Sequence, residues 1–146
     1  MTILYVCELV QAGKIGLNDV VTASANAASR GGTEIKLKSG DKFTVEELLY
    51  AAALASANDA AVALAEYAAG SEQEFARLMT NRAKELGLKD TNFVDATGLL
   101  SIFSGNYSTA YDMAVLSRFA MENPLFRRFV STREYELKPQ NKTIRN

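Results

Sequence analysis

Two side chains with hydrogen-bonding groups, Ser56 and Asn58, stand two residues apart between alanine-rich apolar runs that together span Leu48 to Ala69. The serine hydroxyl can donate and accept a hydrogen bond, and the asparagine carboxamide offers one carbonyl and two N–H donors. The second apolar run carries only two charged residues, Asp59 and Glu66, so a helix there is predicted to be buried around most of its circumference. The arrangement predicts a polar site held between two buried helices.

A simpler interpretation is that Ser56-Ala57-Asn58 only caps a helix. Ser and Asn are common at helix N-termini because their side chains accept hydrogen bonds from nearby backbone N–H groups. The same spacing occurs a second time in Ser24-Ala25-Asn26, within a polar stretch of small residues. The triplet alone therefore does not distinguish a site from a cap, and both interpretations stand.

The helices that would position the pair have clear start and stop signals. Thr44 and Glu47 have the capping-box spacing, so a helix is predicted to begin at Thr44. Gly70 is predicted to end the second apolar run. Ser71 then begins an amphipathic helix that stops at Gly87.

The remaining pattern predicts a mainly α chain with a small β excursion. Ile35 and Leu37 alternate with charged residues, which is typical of a surface strand. A long polar connection from Thr91 to Ser108 is either functional or a plain surface loop. Further elements are predicted from apolar periodicity and caps: a helix over residues 1–12, a β-type run at 20–22, helices from Thr109 and from Asn123-Pro124, and a strand over 133–137.

The composition indicates one ordinary globular domain. The chain has 146 residues and a formal net charge of -1 with acids and bases mixed along it, which argues against a nucleic-acid partner. It has no histidine, so histidine-based triads and histidine metal sites are excluded. Cys7, the one cysteine, is predicted to be a small core residue. No apolar run reaches the roughly 20 residues of a membrane span, and no signal peptide is recognisable after Met1.

Three long segments carry a resemblance to a known family. They are FTVEELLYAAALASANDAAVALAEYAAGS (Phe43 to Ser71), FARLMTNRAKELGLKDTNFVDATGL (Phe75 to Leu99) and NYSTAYDMAVLSRFA (Asn106 to Ala120). In this order they closely resemble the serine-type D-alanyl-D-alanine carboxypeptidases of peptidase family S11, the low-molecular-mass penicillin-binding proteins. The match runs along essentially the whole chain. It implies that residues 1–146 are a single, incomplete domain: the helical middle portion of a β-lactamase/transpeptidase-like (α+β) catalytic domain, with most of the central sheet missing.

Members of this family bring three motifs, S-x-x-K, S-x-N and K-T-G, into one cleft. The resemblance makes Ser56 and Asn58 the S-x-N pair and hence the catalytic site residues. It implies that the serine relays a proton, together with the active-site lysine, toward the leaving amine. It also implies that the asparagine hydrogen-bonds the substrate's amide, a division of roles that suits the two side chains.

The other two motifs are expected to be absent. By resemblance, S-x-x-K belongs a few residues ahead of the segment matching Met1-Thr2, and neither Ser24 nor Ser56 has a lysine three residues further on. Lys142-Thr143-Ile144 begins like K-T-G but lacks the glycine. Because catalytic residues act as a unit, the chain as given is predicted not to form an acyl-enzyme.

The resemblance also implies the surroundings in which the complete enzyme works. Its partners would be peptidoglycan stem peptides as substrates and β-lactams as inhibitors, and its location the cell envelope; no cofactor and no metal are implied. The alternative is a non-catalytic helical module that folds by self-association. Since the missing sheet should leave an apolar face uncovered, homo-oligomers are expected.

Overall fold

The computed structural model describes residues 1–99 and 105–146, which form seven α-helices, a one-turn 3-10 helix at Lys138–Gln140 and four short strands. The prediction of a mainly α chain with little β structure is confirmed. In chain order the elements are α1 (Thr2–Gln11), β1 (Val20–Thr22), α2 (Ala25–Ala28), β2 (Lys42–Thr44), α3 (Val45–Leu54), α4 (Asn58–Ala69), α5 (Glu72–Glu85), α6 (Ala110–Glu122), α7 (Pro124–Ser131), β3 (Glu134–Leu137) and β4 (Lys142–Arg145).

The predicted helix boundaries are confirmed by their caps. At the start of α3 both bonds of a capping box are present: the Thr44 side chain accepts from Glu47 N–H, and the Thr44 N–H donates to the Glu47 carboxylate. Helix α4 ends at Gly70, which adopts the left-handed conformation with φ 80°. The Ser71 hydroxyl accepts from Glu74 N–H and begins α5. Each boundary therefore follows from local residue chemistry.

Helix α4 lies at the centre of the fold. It packs against α1, α2, α3, α5 and β1, and its residues from Asp59 to Ala65 are all buried. The predicted burial of this helix is thus confirmed. Val62 and Leu64 are fully buried, and burying such a side chain contributes roughly 1.5–3 kcal/mol.

Cys7 lies in the same core, as predicted, with its side chain fully buried. Burial raises the pKa of the Cys7 thiol to about 12. The thiolate that reacts with oxidants and metals is therefore scarce at neutral pH.

The predicted strand at Ile35 and Leu37 is wrong, because these residues form no strand. Both side chains are buried and the residues between and beside them are not, so the alternation was interpreted correctly. Their backbone N–H groups, however, donate to the buried Asp59 carboxylate at 3.2 and 2.9 Å instead of to a neighbouring strand. Lys36 between them has φ 65°, which is incompatible with a regular strand. The β excursion is instead the antiparallel pair of β1 and β2.

A second antiparallel pair, β3 and β4, ends the chain. The strand β3 was predicted, but β4 was not, because Ile144 is the one apolar residue in Lys142–Arg145. Asn141 turns the chain into β4 with φ 47°. The hairpin packs on α3 through Tyr135, whose ring stacks on Tyr50 with centroids 3.9 Å apart.

Candidate functional site

Ser56 and Asn58 open into one cleft of about 270 Å³. It lies where the first turn of α1, the junction of α3 and α4, the loop before residue 98 and the first turn of α7 meet. The lining residues are Met1, Thr2, Ile3, Ala52, Ser56, Ala57, Asn58, Ala61, Ala96, Thr97 and Phe126.

Ser56 occupies a strained position at the break between α3 and α4. It is exposed, and its φ of 51° lies in the left-handed region that non-glycine residues rarely adopt. In the described part of the chain the N-cap of α4 is Ala57, and no side chain caps this helix. Helix capping therefore does not account for Ser56, and strain of this kind clusters at functional sites.

Asn58 is the first residue of α4, and the loop over residues 31–33 holds it on two sides. Its backbone N–H donates to the Thr33 carbonyl at 2.8 Å, and its side-chain Nδ2 donates to the Gly31 carbonyl at 3.0 Å. The loop thus fixes the rotamer of the carboxamide at the edge of the cleft.

Gly32 is the residue of this loop that allows the close approach. A Cβ added there would lie 2.6 Å from Asn58 Nδ2, and the φ of 88° is unfavourable for other residues. Gly32→Ala is expected to lower the free energy of unfolding by roughly 2 kcal/mol and to displace the Asn58 carboxamide, combining backbone strain with a clash. Urea unfolding and the NMR signals of the Asn58 side-chain NH₂ group measure the two effects.

Gly40→Ala is the matched control, because Gly40 has a similar φ of 92° but nothing within 4 Å of an added Cβ. It is expected to cost roughly 1 kcal/mol from backbone strain alone and to leave the Asn58 signals in place. Equal effects of the two substitutions on those signals would contradict the role given to Gly32.

The second S-x-N triplet has a structural role. Ser24 accepts from Ala27 N–H as the N-cap of α2, and its hydroxyl donates to Glu66 at 2.6 Å. Asn26 Nδ2 donates to the other oxygen of Glu66 at 2.8 Å. Both side chains thus tie α2 to α4, away from the cleft that Ser56 and Asn58 line.

The wall of the cleft formed by Ala96 and Thr97 is held by the buried carboxylate of Asp95. One Asp95 oxygen accepts from Thr97 N–H at 2.6 Å, from the Thr97 hydroxyl at 2.7 Å and from Gly98 N–H at 2.5 Å, and the other accepts from Asn106 Nδ2. Burial by itself raises the pKa of the Asp95 carboxyl, but these hydrogen bonds together outweigh it and hold that pKa below its ordinary value.

This shift predicts acid sensitivity of the fold. Because the pKa of Asp95 is lower in the folded than in the unfolded chain, its contribution to stability is complete above the unfolded value, near pH 4, and is lost as the pH falls through the folded value. Asp95→Asn should therefore show a smaller loss of unfolding free energy below about pH 4 than the unaltered chain. Urea unfolding at stepped pH measures this, and parallel curves for the two proteins would contradict it.

The sequence identified the connection containing Thr97 but not the carboxylate that shapes it. Glu72, which is buried, contacts this loop from α5, and no local spacing signals that contact because it depends on the tertiary fold. Asp95, also buried, lies in the loop itself, and its bonds to Thr97 and Gly98 are local contacts of the kind that an aspartate makes in an Asx turn. Residues 100–104, part of the predicted long connection, lie outside the described residues.

Ser39 and Lys42 do have the S-x-x-K spacing, so the expectation that the motif is missing needs this correction. Ser39 is exposed in a turn and Lys42 is in β2, so the two residues do not share one face of a helix. Neither residue lines the cleft of Ser56. Lys142, Thr143 and Ile144 belong to β4 and are likewise outside it.

The comparisons with known proteins agree on one family. The family model described as D-alanyl-D-alanine carboxypeptidase, peptidase S11, matches residues 1–146. The D-alanyl-D-alanine carboxypeptidase DacF of Bacillus subtilis is 46% identical over 134 residues, covering 92% of this chain and 34% of DacF. DacC of Escherichia coli is 42% identical over 124 residues, covering 81% of this chain and 30% of DacC.

Solved structures show the same relationship. Penicillin binding protein 6B from Escherichia coli superposes with a TM-score of 0.90 at 34% identity, covering 99% of this chain and 47% of that one. The carboxypeptidase DacD from Francisella tularensis gives a TM-score of 0.88 at 33% identity, covering 96% of this chain and 34% of that one.

The predicted fold class, the mainly helical part of a transpeptidase-like α+β domain, is thereby confirmed. The chain spans about a third of the length of the curated relatives it matches. By the family match over its whole length and by its identity to these relatives, the chain belongs to the D-alanyl-D-alanine carboxypeptidases of peptidase family S11.

Proposed function

We propose that this chain is the helical middle of a single catalytic domain that removes the terminal D-alanine from peptidoglycan stem peptides. In this reaction a serine oxygen attacks the carbonyl of the penultimate residue, D-alanine leaves with a proton on its amine, and water hydrolyses the acyl-serine ester. The observation that carries the proposal is the cleft in which Ser56, in a strained conformation, and Asn58, fixed by the 31–33 loop, stand side by side in a member of this family.

The two residues have different roles in the proposed reaction. The Ser56 hydroxyl can accept and donate, as a proton relay toward the leaving amine requires. Asn58 hydrogen-bonds the substrate amide through groups of its carboxamide that the Gly31 carbonyl does not engage. Holding Asn58 in one rotamer before substrate arrives reduces the entropy lost on binding.

Helix α1 begins at the cleft, which agrees with the position that the family resemblance implies for the S-x-x-K motif. Met1 and Thr2 line the cleft together with Ser56. Residues joined ahead of Met1 would therefore enter the cleft, next to the S-x-N pair. This supports the assignment of the nucleophile and its lysine to that segment.

Residues 1–146 alone are proposed to be catalytically incompetent. Ser39 and Lys42, the one pair with the S-x-x-K spacing, lie outside the cleft, and the K-T-G glycine is absent from Lys142-Thr143-Ile144. Without a nucleophile, binding and polarisation by Ser56 and Asn58 supply a small part of the rate enhancement.

The setting of the complete enzyme follows from the same proposal. Its substrates are stem peptides, its inhibitors β-lactams, and its location the cell envelope, because peptidoglycan lies there. None of the helices in the described ranges is long and apolar enough to cross a membrane.

The alternative function is a non-catalytic module that self-associates through the face that the rest of the sheet would cover. The β3–β4 hairpin has a strand edge at which another copy could pair. Against it, the hairpin directs Leu137 and Ile144 inward while Glu134, Glu136 and Thr143 are exposed. Sedimentation velocity tests this: a concentration-dependent dimer favours the module, and a monomer counts against it.

A chimera tests the proposed activity. Residues 1–146 replace the matched segment of Bacillus subtilis DacF, and release of D-alanine from an acetylated peptide ending in D-Ala-D-Ala is measured. The chimera is expected to release D-alanine within about tenfold of the rate of unaltered DacF. A correctly folded chimera that releases none would overturn the proposal.

A further inference from the structure

We propose that Glu72 is a positioning residue for the Ser56–Asn58 cleft, acting through Arg30 on the loop that holds Asn58 and through Ala96 on the cleft wall. This inference rests on the function proposed for the cleft. Glu72 is the first residue of α5 and lies outside the cleft lining. Its carboxylate has two oxygens, and each contacts a different loop.

The first contact of Glu72 is with the loop that holds Asn58. Glu72 Oε2 pairs with the guanidinium of Arg30, the residue immediately before Gly31. The Gly31 carbonyl accepts from Asn58 Nδ2, and the Thr33 carbonyl accepts from Asn58 N–H. Because Arg30 anchors the start of this loop, its ion pair with Glu72 determines where both carbonyls lie.

The second contact of Glu72 is with the cleft wall formed by Ala96 and Thr97. Glu72 Oε1 accepts from Ala96 N–H at 3.1 Å, while the Ala96 carbonyl accepts from the Thr2 hydroxyl at 2.7 Å. Ala96, Thr97 and Thr2 all line the cleft. The carboxylate that anchors the Asn58 loop therefore also positions the cleft wall formed by Ala96 and Thr97.

The chemistry of this contact requires a carboxylate. The side chains of Glu72 and Arg30 are only 6% and 16% exposed, so both depend on each other for compensation of their charge. A glutamine at position 72 would present one oxygen and one NH₂ group to two donors, Arg30 and Ala96 N–H, and could accept from only one of them. An aspartate is one methylene shorter and would not span both contacts.

The test is NMR of the isotope-labelled chain in four forms: unaltered, Glu72→Gln, Arg30→Lys and Glu74→Gln. Glu74 is the matched control, because it lies on the same first turn of α5 but pairs with Arg77 at an exposed position. Glu72→Gln is expected to shift both the Asn58 side-chain NH₂ signals and the Thr97 N–H signal. Arg30→Lys, which leaves the Ala96 contact in place, should shift the Asn58 signals alone.

General loss of structure would not produce this selective pattern, so the spectra separate positioning from destabilisation. If Glu72→Gln does not fold, the selective shift in Arg30→Lys decides the question. Asn58 and Thr97 signals in Glu72→Gln that coincide with those of Glu74→Gln would overturn the proposal, as would an Arg30→Lys spectrum without a shift at Asn58.

A titration with an acetylated D-alanyl-D-alanine dipeptide adds the functional readout. Glu72→Gln is expected to weaken dipeptide binding about fivefold, as expected when one hydrogen bond to the ligand is misplaced, and Glu74→Gln to leave it unchanged. The ligand-free shifts decide the role of Glu72 whatever the titration shows, and the DacF chimera tests the proposed function of the cleft separately. Equal affinities of Glu72→Gln and the unaltered chain would count against the positioning role.

Discussion

Asp59→Ala is expected to lower the free energy of unfolding by roughly 3–5 kcal/mol, a large part of the stability of a domain this size. The Asp59 carboxylate is 1% exposed and accepts from the backbone N–H groups of Ile35, Leu37 and Ala60. Alanine leaves the first two donors buried without an acceptor, and each such group costs about 1–3 kcal/mol. Urea unfolding followed by circular dichroism measures the loss.

Asp41→Ala is the control for this substitution. The Asp41 carboxylate accepts from one exposed backbone N–H, that of Lys38, and its loss is expected to cost about 1 kcal/mol or less. If Asp59→Ala were as mild as Asp41→Ala, the segment around Ile35 and Leu37 would not depend on Asp59, contrary to the structure.

Ser56→Ala in the DacF chimera is expected to lower the rate of D-alanine release by about 10²–10⁴-fold, the range typical for loss of a proton-transferring group. The substitution removes one exposed hydroxyl at a cleft wall and leaves the apolar contacts of α3 and α4 in place. Stability should therefore change little, and the loss should fall on kcat more than on KM. Steady-state kinetics with the acetylated peptide measure both constants.

The chain provides its own control in the second triplet. Ser24→Ala removes a serine with the same S-x-N spacing, but one that caps α2 and contacts Glu66. We expect it to cost about 1 kcal/mol of stability and to leave D-alanine release unchanged. A Ser56→Ala chimera as active as the Ser24→Ala chimera would mean that the S-x-N spacing at Ser56 has no catalytic meaning.

Much of the fold was predictable from the sequence because its helices are specified locally. The capping box of Thr44 and Glu47, the left-handed Gly70 and the asparagine cap of α7 at Asn123 depend on residues at most a few positions apart. Burial of α4 was predictable because only two of its residues, Asp59 and Glu66, are charged. These features do not require knowledge of which elements meet.

The errors concern partners that only the tertiary structure supplies. Ile35 and Leu37 alternate like a strand, but a buried carboxylate from α4 takes the place of the neighbouring strand. Strand β4 has too little apolar pattern to be seen without its partner β3.

The candidate site was also predicted only in part. Ser56 and Asn58 were predicted from their types, their context and the family resemblance, and both line the same cleft. The carboxylates that shape the cleft, Asp95 and Glu72, were not. Glu72 contacts Ala96 from a helix distant in sequence, whereas Asp95 bonds to Thr97 and Gly98 within its own loop, a local signal that the sequence analysis missed.

The most direct test of the proposed function is the intact mass of two proteins after incubation with excess benzylpenicillin: the chain of 146 residues and the DacF chimera that contains it. Unaltered DacF serves as the positive control. A stoichiometric adduct is expected on the chimera and none on the chain alone, since the nucleophile is proposed to lie ahead of Met1. An adduct on a serine of the chain alone, or an unlabelled chimera beside a labelled DacF, would contradict this expectation.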